Sequence, residues 1–565
     1  MALALWLLWV CQPLLAQALR KTGARGPPPQ QASLGAPTDM LVDLAEPQAA
    51  PLLLVVGRSA RPTFSFLAPV AAAGPSTNRS VLVTDYQIVV RDSVGATAWD
   101  SGKAPARRSA AGTSGVVCGN ALESGLSYTW SATYWAGAQR SEPATSAFTV
   151  GLLSESDWAG AEWIGSGQRQ FQLTPPQSVR AKLRRFPGAK VKLHVAAPGG
   201  AVVEAGGATQ GDPVGLSLWT ANDKTVQYFS WDLTSTILDA DGEGTAEIVV
   251  TIGGGFFAST VRPAKASNGA RPAMCRLLLL LDTGAGGKKE RILLRSSATP
   301  SSGIEGRSGP VLADDPWMGS TMNTSLSATE GWGATKLADE EDVPHGQLVP
   351  LPMPYATKRG SLSAVSAGRA LANRPGSLLY TFAANIVGHA SVAAAAVTGN
   401  GWIRLEHCEV WNHSAGGCVP FGTPPYEYPL PICGRSSNGS FDDGSSRAGC
   451  DTYLVGDGSS GTRLLAPKFT WHGFQHVVVT PGPGVTFSGE VDAVSAHWTT
   501  SDLSRTASIR FGGEGAELLS SLDQIVLNSQ LSNLAGYMPT DCPTREKVCL
   551  KRLFFQKTDG IFKTA

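Results

Sequence analysis

Residues 128–135 read Tyr-Thr-Trp-Ser-Ala-Thr-Tyr-Trp, a stretch in which large aromatic residues alternate with small ones. Successive side chains of a β-strand point to opposite faces of the sheet, so this alternation predicts a half-buried strand. Similar strand-sized runs recur roughly every ten residues between 51 and 150, with turn residues between them. We therefore predict a two-sheet β-sandwich of about 100 residues in this region.

The composition extends this prediction to most of the chain. The 565 residues include 64 Gly and 37 Pro, and only 16% are charged. This composition is typical of many short strands joined by turns, and it argues against helical bundles and coiled coils. The 42% hydrophobic content excludes a disordered chain. The 46 basic and 45 acidic residues balance, so the chain carries no electrostatic footprint for nucleic acid.

The N-terminus has the pattern of a targeting segment. An apolar run at 3–10, extended by Leu14 and Leu15, leads to the small-residue pattern at 16–18. This predicts a signal peptide and a secreted, extracellular protein. Basic residues follow the run instead of preceding it, so a signal anchor is the alternative. No later stretch reaches the roughly 18 apolar residues that a membrane span requires.

The rest of the chain divides by composition and periodicity. Apolar residues between 514 and 535 recur at spacings near three and four, which predicts a helix. Such a helix cannot bury its own apolar face, so we expect a helical domain to begin there. The predicted segments are a signal peptide (1–18), a linker (19–50), a first sandwich (51–150), a second sandwich (160–300), a loop-rich connection (301–350), a third β domain (351–500), the start of a helical domain (501–547) and a divergent tail (548–565).

Secretion would place the cysteines in an oxidising compartment. We expect disulfides within the loop-rich cluster of Cys408, Cys418, Cys433 and Cys450, for which three pairings are possible. A zinc site is the alternative, but no Cys-x-x-Cys pair is present, and we predict neither a metal site nor a cofactor. The candidate glycosylation sites are Asn78, Asn323, Asn412 and Asn438.

The histidines do not cluster along the sequence. For His407 and His472, packing or hydrogen bonding in the core is therefore the favoured interpretation over metal ligation.

One segment carries candidate catalytic chemistry. Residues 539–547, directly after the predicted helix, read Pro-Thr-Asp-Cys-Pro-Thr-Arg-Glu-Lys, and their two prolines stiffen the backbone. Glycoside hydrolysis requires one carboxylic acid to protonate the leaving oxygen and a second carboxylate on the opposite side of the sugar. Asp541 and Glu546, on either side of Arg545, are candidates for such work. On spacing alone, a surface loop with a salt bridge is the alternative.

The motifs of this chain, in their order, resemble those of bacterial-type α-L-rhamnosidases of glycoside hydrolase family 78. The segment 380–388 departs from the family pattern, because Thr381, Ala383 and Ala384 replace Asp, Gly and Gln. The matching segments are 99–103, 122–125, 128–130, 157–158, 163–164, 254–257, 380–388, 403–409, 451–454, 467–474 and 539–547.

The resemblance implies a mainly β, multidomain fold. Its modules would be a fibronectin-III-like sandwich, a jelly-roll-like carbohydrate-binding sandwich, a concanavalin-like β domain and the first helix of an incomplete six-hairpin α/α barrel. The implied activity is inverting hydrolysis of terminal α-L-rhamnose from a rhamnose-containing glycoside or polysaccharide. Glu546 would be the general acid, and Asp541 and Arg545 would bind substrate.

The chain departs from the family after residue 547. The family continues with Gly-Trp-x-Gly-Asp and later supplies a Glu as general base, whereas this chain continues differently to Ala565. A truncated gene product is one explanation. Because an acid–base partner contributes roughly 10²–10⁴-fold to rate, we expect the 565-residue chain to be inactive or nearly so. The alternative is a non-catalytic, secreted carbohydrate-binding or surface protein built from β-sandwiches.

Overall fold

The computed structural model is mainly β, as the composition predicts. It describes residues 34–47, 53, 55–56, 59–69, 82–106, 112–165, 171–174, 190–205, 208–211, 215, 220–238, 248–258, 272–282, 291–297, 304–316, 319–325, 331–351, 356–414, 416–418, 450–456, 464–501, 503 and 508–534.

The first module is a sandwich of two sheets. Sheet 1 has the order β1-β3-β7, and sheet 2 has the order β2-β10-β8-β4-β5, with β6 beside β4 and β9 beside β8. Its strands are β1 (Thr38–Val42), β2 (Val55–Val56), β3 (Thr63–Leu67), β4 (Asp85–Asp92), β5 (Thr97–Asp100), β6 (Ala104–Pro105), β7 (Gly112–Val117), β8 (Ser127–Ala136), β9 (Gln139–Arg140) and β10 (Ala144–Val150).

Strand β8 is the predicted aromatic strand. Tyr128, Trp130, Ala132 and Tyr134 are all buried in the core between the two sheets. Strand β1 lies within the predicted linker 19–50 and pairs with β3. This strand is short and lies at the edge of sheet 1, so it carries little periodicity that a sequence can display.

The strands between 164 and 350 belong mostly to the second module. These strands are β11 (Ile164–Gly165), β12 (Phe171–Thr174), β13 (Lys190–Ala196), β14 (Ala201–Ala205), β15 (Ala208–Thr209), β16 (Thr225–Asp232), β17 (Ile248–Ile252), β18 (Met274–Asp282), β19 (Arg291–Arg295), β20 (Glu305–Ser308), β21 (Val311–Asp315), β22 (Gly319–Asn323), β23 (Gly333–Ala334), β24 (Lys336–Leu337) and β25 (Gln347–Pro350). A short helix, α1 (Thr234–Leu238), follows β16.

Two sheets face each other in this second sandwich. Sheet 3 has the order β24-β11-β18-β13-β16-β25, with β19 beside β18, and sheet 4 has the order β15-β14-β17-β12-β20-β23. The apolar run 277–281 in β18 is the buried strand that the sequence predicts. Leu277, Leu279 and Leu281 enter the core between sheets 3 and 4, whereas Leu278 and Leu280 pack in a cluster on the other face of sheet 3.

The region 301–350 is more than the predicted loop-rich connection. It contributes β20 and β23 to sheet 4, β24 and β25 to sheet 3, and β21 and β22 to the next module. These strands have two to five residues and carry mostly polar or small side chains, so their pairing is set by the sheets around them.

The third module is a single ten-stranded sheet, sheet 5. Its main order is β21-β22-β33-β30-β35-β28-β37-β26, with β27 and β34 beside β28; two further pairs are β29-β36 and β31-β32. The strands are β26 (Ala356–Ser363), β27 (Arg369–Leu371), β28 (Arg374–Ala393), β29 (Val397–Gly399), β30 (Gly401–Cys408), β31 (Trp411–Asn412), β32 (Gly417–Cys418), β33 (Cys450–Val455), β34 (Leu464–Leu465), β35 (His472–Pro481), β36 (Val485–Phe487) and β37 (Val494–Ser501).

Specific polar contacts join the first two modules. The Leu152 N–H donates to the Tyr228 hydroxyl oxygen at 2.8 Å, and the buried Lys192 ammonium donates to the Gly125 carbonyl at 2.8 Å. Arg276 forms an ion pair with Glu155 at 2.6 Å. Each contact connects a residue of 125–155 to sheet 3, so the two sandwiches meet along a defined interface.

Among the residues described after sheet 5 there is one long helix. Helix α2 (Ala516–Ser532) lies within the predicted helical segment, and Gly515 precedes it in a left-handed conformation with φ 81°. A non-glycine residue would be strained at that position.

Candidate functional site

The predicted catalytic and binding residues, Glu546, Asp541 and Arg545, lie outside the described residues. The structure describes the chain up to residue 534, shortly before this segment begins. There, the backbone N–H and the hydroxyl of Ser501 both donate to the Leu534 carbonyl, at 2.8 and 3.0 Å. The chain therefore leaves α2 tied to the end of β37 in sheet 5.

Helix α2 presents its apolar residues to solvent. Leu518, Ile525 and Val526 are 66%, 59% and 63% exposed, and no residue of the helix is buried. Within the described part of the chain, no element covers this stripe. The expectation that the helix cannot bury its own face agrees with this exposure.

Two of the predicted motifs meet where the second sandwich contacts sheet 5. We call this contact the seam; it is formed by residues 253–256 after β17 and residues 468–471 before β35. Phe469 is fully buried against Val202 on the outer face of sheet 4, and the Phe256 and Trp471 rings pack edge to face at 5.9 Å. A Cβ atom at Gly253 would collide with the Phe469 ring, so glycine is required there.

Polar contacts hold the same seam. The Gly254 and Gly255 N–H groups donate to one carboxylate oxygen of the buried Asp314, at 2.8 and 3.0 Å. Lys468 forms an ion pair with Glu204 at 3.0 Å. The Gly-rich turn after β17 thus binds a carboxylate of the third module through its backbone N–H groups.

Next to the seam, three chemically active side chains converge inside sheet 5. His407 is on β30, Asp451 on β33 and His472 on β35, which are adjacent strands. Each lies two residues from a core residue of its own strand, so all three share the core-facing side of the sheet. We call them the His-Asp-His cluster.

The geometry of the His-Asp-His cluster is compact. Asp451 Oδ2 lies 3.1 Å from His472 Nε2 and 3.8 Å from His407 Nε2, and the two imidazole rings stack with centroids 4.0 Å apart. Asp451 Oδ1 accepts a hydrogen bond from the Ser320 N–H at 2.9 Å. The side chains of His407, Asp451 and His472 are 1%, 0% and 6% exposed.

The electrostatics of the cluster favour an ionised carboxylate. Burial alone would raise the pKa of Asp451, but the charge and hydrogen bond of His472, the charge of His407 and the Ser320 N–H together hold that pKa below its usual value. The negative charge of Asp451 in turn adds to burial in raising the pKa of the Tyr453 hydroxyl.

A second histidine pair lies on the other side of the same sheet. His389 and His497 face each other across β28 and β37, and their rings are 4.9 Å apart. His497 is hydrogen-bonded to Ser361 at 3.0 Å and to Ser391 at 2.7 Å. No carboxylate bonds to this pair among the described residues. Burial lowers the pKa of His389 to about 3 and that of His497 to about 4, and neighbouring positive charges add to both effects. The negative charge of Asp451 partly opposes the lowering of the His389 pKa.

The cysteine cluster contains a disulfide between Cys408 and Cys418. It ties the end of β30 to the β31-β32 hairpin. Beside it, Arg374 forms a buried ion pair with Glu406. Cys450 is also disulfide-bonded, whereas Cys433 lies outside the described residues.

The motif at 380–388 lies in β28, where its departures from the family pattern have visible consequences. Thr381, which replaces the family's Asp, is hydrogen-bonded to His476 across the strand pair at 3.0 Å. The Tyr380 hydroxyl donates to the Glu490 carbonyl at 3.0 Å. This segment therefore serves the packing of sheet 5 through side chains that the chain does possess.

Two of the predicted glycosylation sites are described. Asn412 is exposed in the β31-β32 hairpin, and Asn323 is partly buried at the end of β22. Asn78 and Asn438 lie outside the described residues. No helix among the described residues has the length and apolarity needed to cross a bilayer.

Sequence reasoning missed the His-Asp-His cluster. His407 and His472 are far apart along the chain, and only the register of β30, β33 and β35 brings them to the same carboxylate. One feature of the sequence could have indicated the cluster. Each of the three residues falls inside a segment that matches the family pattern; these segments are 403–409, 451–454 and 467–474.

The first module matches a known domain family. Residues 58–154 match the model of the family described as "Rha78A-like, N-terminal immunoglobulin domain". This region is the sandwich that the sequence analysis compares with fibronectin III; both types are two-sheet antiparallel sandwiches. The chain is thus a multidomain β protein that opens with an immunoglobulin-like module.

Curated relatives make the comparison more specific. An α-L-rhamnosidase of Streptomyces avermitilis is 26% identical over 342 residues, which cover 58% of this chain and 28% of that protein. An α-L-rhamnosidase of Formosa agariphila is 22% identical over 525 residues, covering 86% of this chain and 50% of that protein. The resemblance to family 78 α-L-rhamnosidases is confirmed. The chain spans half or less of the length of these two relatives.

A solved structure shares the fold. The Streptomyces avermitilis α-L-rhamnosidase, crystallised in complex with L-rhamnose, superposes with a TM-score of 0.64 at 17% identity. The match covers 91% of this chain and 62% of that one. The succession of β modules followed by a helix is therefore the architecture of a known fold.

Proposed function

We propose that this chain forms the β-rich portion and the start of the catalytic domain of an inverting α-L-rhamnosidase. The observation that supports the proposal is the amino-acid sequence of residues 539–547. This segment matches the family pattern and follows α2, whose end is tied to sheet 5. Its substrate would be a terminal α-L-rhamnose of a glycoside or polysaccharide.

In this proposal Glu546 protonates the leaving oxygen, while Asp541 and Arg545 hold the sugar. An inverting site needs a second carboxyl group about 6.5–9.5 Å away to activate water. The proposal assigns that role to neither Asp541 nor Arg545, so the base would come from a residue outside 539–547.

The test restores the rest of the barrel. A chimera joins residues 1–547 to the corresponding downstream barrel segment of the Streptomyces avermitilis relative. We expect it to release nitrophenol, and we expect Glu546→Gln to lower kcat by roughly 10²-fold or more. Glu514→Gln, which alters an exposed carboxylate just before α2, is the matched control and should leave kcat unchanged. A folded chimera whose activity is insensitive to Glu546→Gln would refute the assignment.

We also propose that the protein is secreted. The apolar N-terminal run and the Cys408–Cys418 disulfide support this, because disulfides persist in oxidising compartments. Expression in a eukaryotic secretory host should deliver the chain to the medium without residues 1–18. Mass spectrometry of the product checks this, and an intact N-terminus on a cell-retained product would contradict it.

A further inference from the structure

We propose that His407, Asp451 and His472 bind a divalent transition-metal ion, zinc by the type of their ligand atoms. The site would lie inside sheet 5 and is independent of the glycosidase proposal. Two imidazole nitrogens and one carboxylate oxygen are a donor set that zinc uses in proteins.

The distances suit a single ion. The three potential ligand atoms all lie within 4.8 Å of one another. Nitrogen and oxygen ligands bound tetrahedrally to zinc at about 2.1 Å lie about 3.4 Å apart. The separations of 3.1 and 3.8 Å between Asp451 Oδ2 and the two Nε2 atoms lie on either side of that value. A small opening of the ring stack would therefore place all three atoms around one centre.

The carboxylate is already oriented as a ligand. The Ser320 N–H holds Asp451 Oδ1 at 2.9 Å, so Oδ2 is the oxygen that faces both imidazoles. Metal-binding carboxylates are commonly fixed by such a second hydrogen bond. The three ligands come from adjacent paired strands, which limits how far they can move apart.

Two residues close to Asp451 in sheet 5 have buried hydroxyl groups that could bind a further group. Tyr453 Oη, two residues from Asp451 on β33, and Ser320 Oγ are both buried and have no hydrogen-bond partner among the described residues. Buried polar atoms of this kind usually mark a water or an ion. A three-ligand zinc ion with a bound water in its fourth position would offer them one.

The charge balance supports a cation. Two neutral imidazoles and one carboxylate would leave a net negative charge in a site that is at most 6% exposed. An uncompensated buried charge is costly, so either a metal ion or a proton on an imidazole must neutralise it. The proton is the competing explanation, and the experiment separates the two.

The test measures metal in the full 565-residue chain. The protein is produced in medium containing zinc, desalted and examined by plasma mass spectrometry. We expect about one zinc per chain, and we expect Asp451→Asn and His472→Gln to lower it at least tenfold. His497→Gln is the matched control, because His497 is a buried histidine on the opposite face of the same sheet; it should retain the zinc.

A second measurement does not depend on the variants folding. The wild-type chain is unfolded with a chelator and refolded with cobalt(II), because the buried site is expected to bind its metal during folding. Visible absorption typical of tetrahedral cobalt supports the proposal. Wild-type protein that refolds without this absorption, and carries less than roughly a tenth of a zinc ion per chain, would overturn it in favour of a protonated histidine.

Discussion

Sheet 5 and helix α2 are neighbours in the chain but treat their apolar side chains in opposite ways. In sheet 5, residues such as Phe474 and Val477 are fully buried, and the polar side chains of His472 and Asp451 are buried as well. In α2, Leu518 and Val526 are more than 60% exposed. A twisted sheet that packs against other modules can bury its apolar side chains. A lone helix can bury its apolar face only against another element.

Because of this difference, we expect the stability of the fold and the proposed catalytic activity to depend on different parts of the chain. The β modules carry the buried area that stabilises the fold, and the segment after α2 carries the proposed catalytic acid. Substitutions in the two regions should therefore have distinct consequences for the free energy of unfolding.

The largest effect of a single substitution on stability is expected at the seam. Phe469→Ala removes a fully buried ring that packs between the second sandwich and the third module, and should lower the free energy of unfolding by about 3–5 kcal/mol. Urea denaturation followed by fluorescence measures the change. Phe469→Leu, which keeps most of the volume, should cost less. A loss below about 1 kcal/mol for Phe469→Ala would show that the seam contributes little to stability.

Acid should destabilise the β modules next. Burial holds the pKa of His389 and His194 at about 3 and that of His497 at about 4, below the value of about 6.5 in an unfolded chain. Between pH 6.5 and 4 the unfolded state therefore binds more protons than the folded state. Stability is then full above pH 6.5 and falls by about 1.4 kcal/mol per pH unit for each such histidine.

Urea denaturation at several pH values checks this linkage. His389→Gln should make the decline shallower, whereas His413→Gln, at an exposed position, should leave it unchanged. A stability that is constant from pH 7 to 4.5 would contradict the burial of neutral histidines. Asp451, whose pKa is lowered, contributes stability that is lost only at still lower pH.

The smallest effect is expected on α2. Leu522→Gln in the 565-residue chain should change the free energy of unfolding by no more than about 0.5 kcal/mol, because this side chain is 47% exposed. In the chimera with downstream barrel elements, the same change should cost distinctly more. Thermal unfolding of both proteins makes the comparison. Equal costs in the two proteins would mean that the barrel segment leaves the exposed face of α2 uncovered.

Much of this fold follows from local patterns, and the exceptions have identifiable causes. The aromatic alternation of β8, the apolar run of β18 and the stripe of α2 all give elements where they were predicted. Strands β20–β25 were missed because two to five residues display no period, and neighbouring sheets recruit them.

One of the two candidate sites could likewise be predicted from the sequence, and the other could not. Glu546 and its neighbours could be proposed from one contiguous segment that resembles a family pattern. The His-Asp-His cluster could not, because it depends on the register of three strands and on separations of more than 20 residues. The two kinds of site therefore require different information: a linear motif for the first and tertiary pairing for the second.

The central claim, that Glu546 is the general acid of an inverting α-L-rhamnosidase, can be tested by varying the leaving group. A general acid matters most when the departing oxygen is strongly basic. We therefore compare wild-type and Glu546→Gln chimeras on an alkyl α-L-rhamnoside and on a dinitrophenyl α-L-rhamnoside. We expect kcat/KM to fall by roughly 10²–10⁴-fold on the alkyl substrate and far less on the dinitrophenyl substrate. An equal loss on both substrates would contradict it.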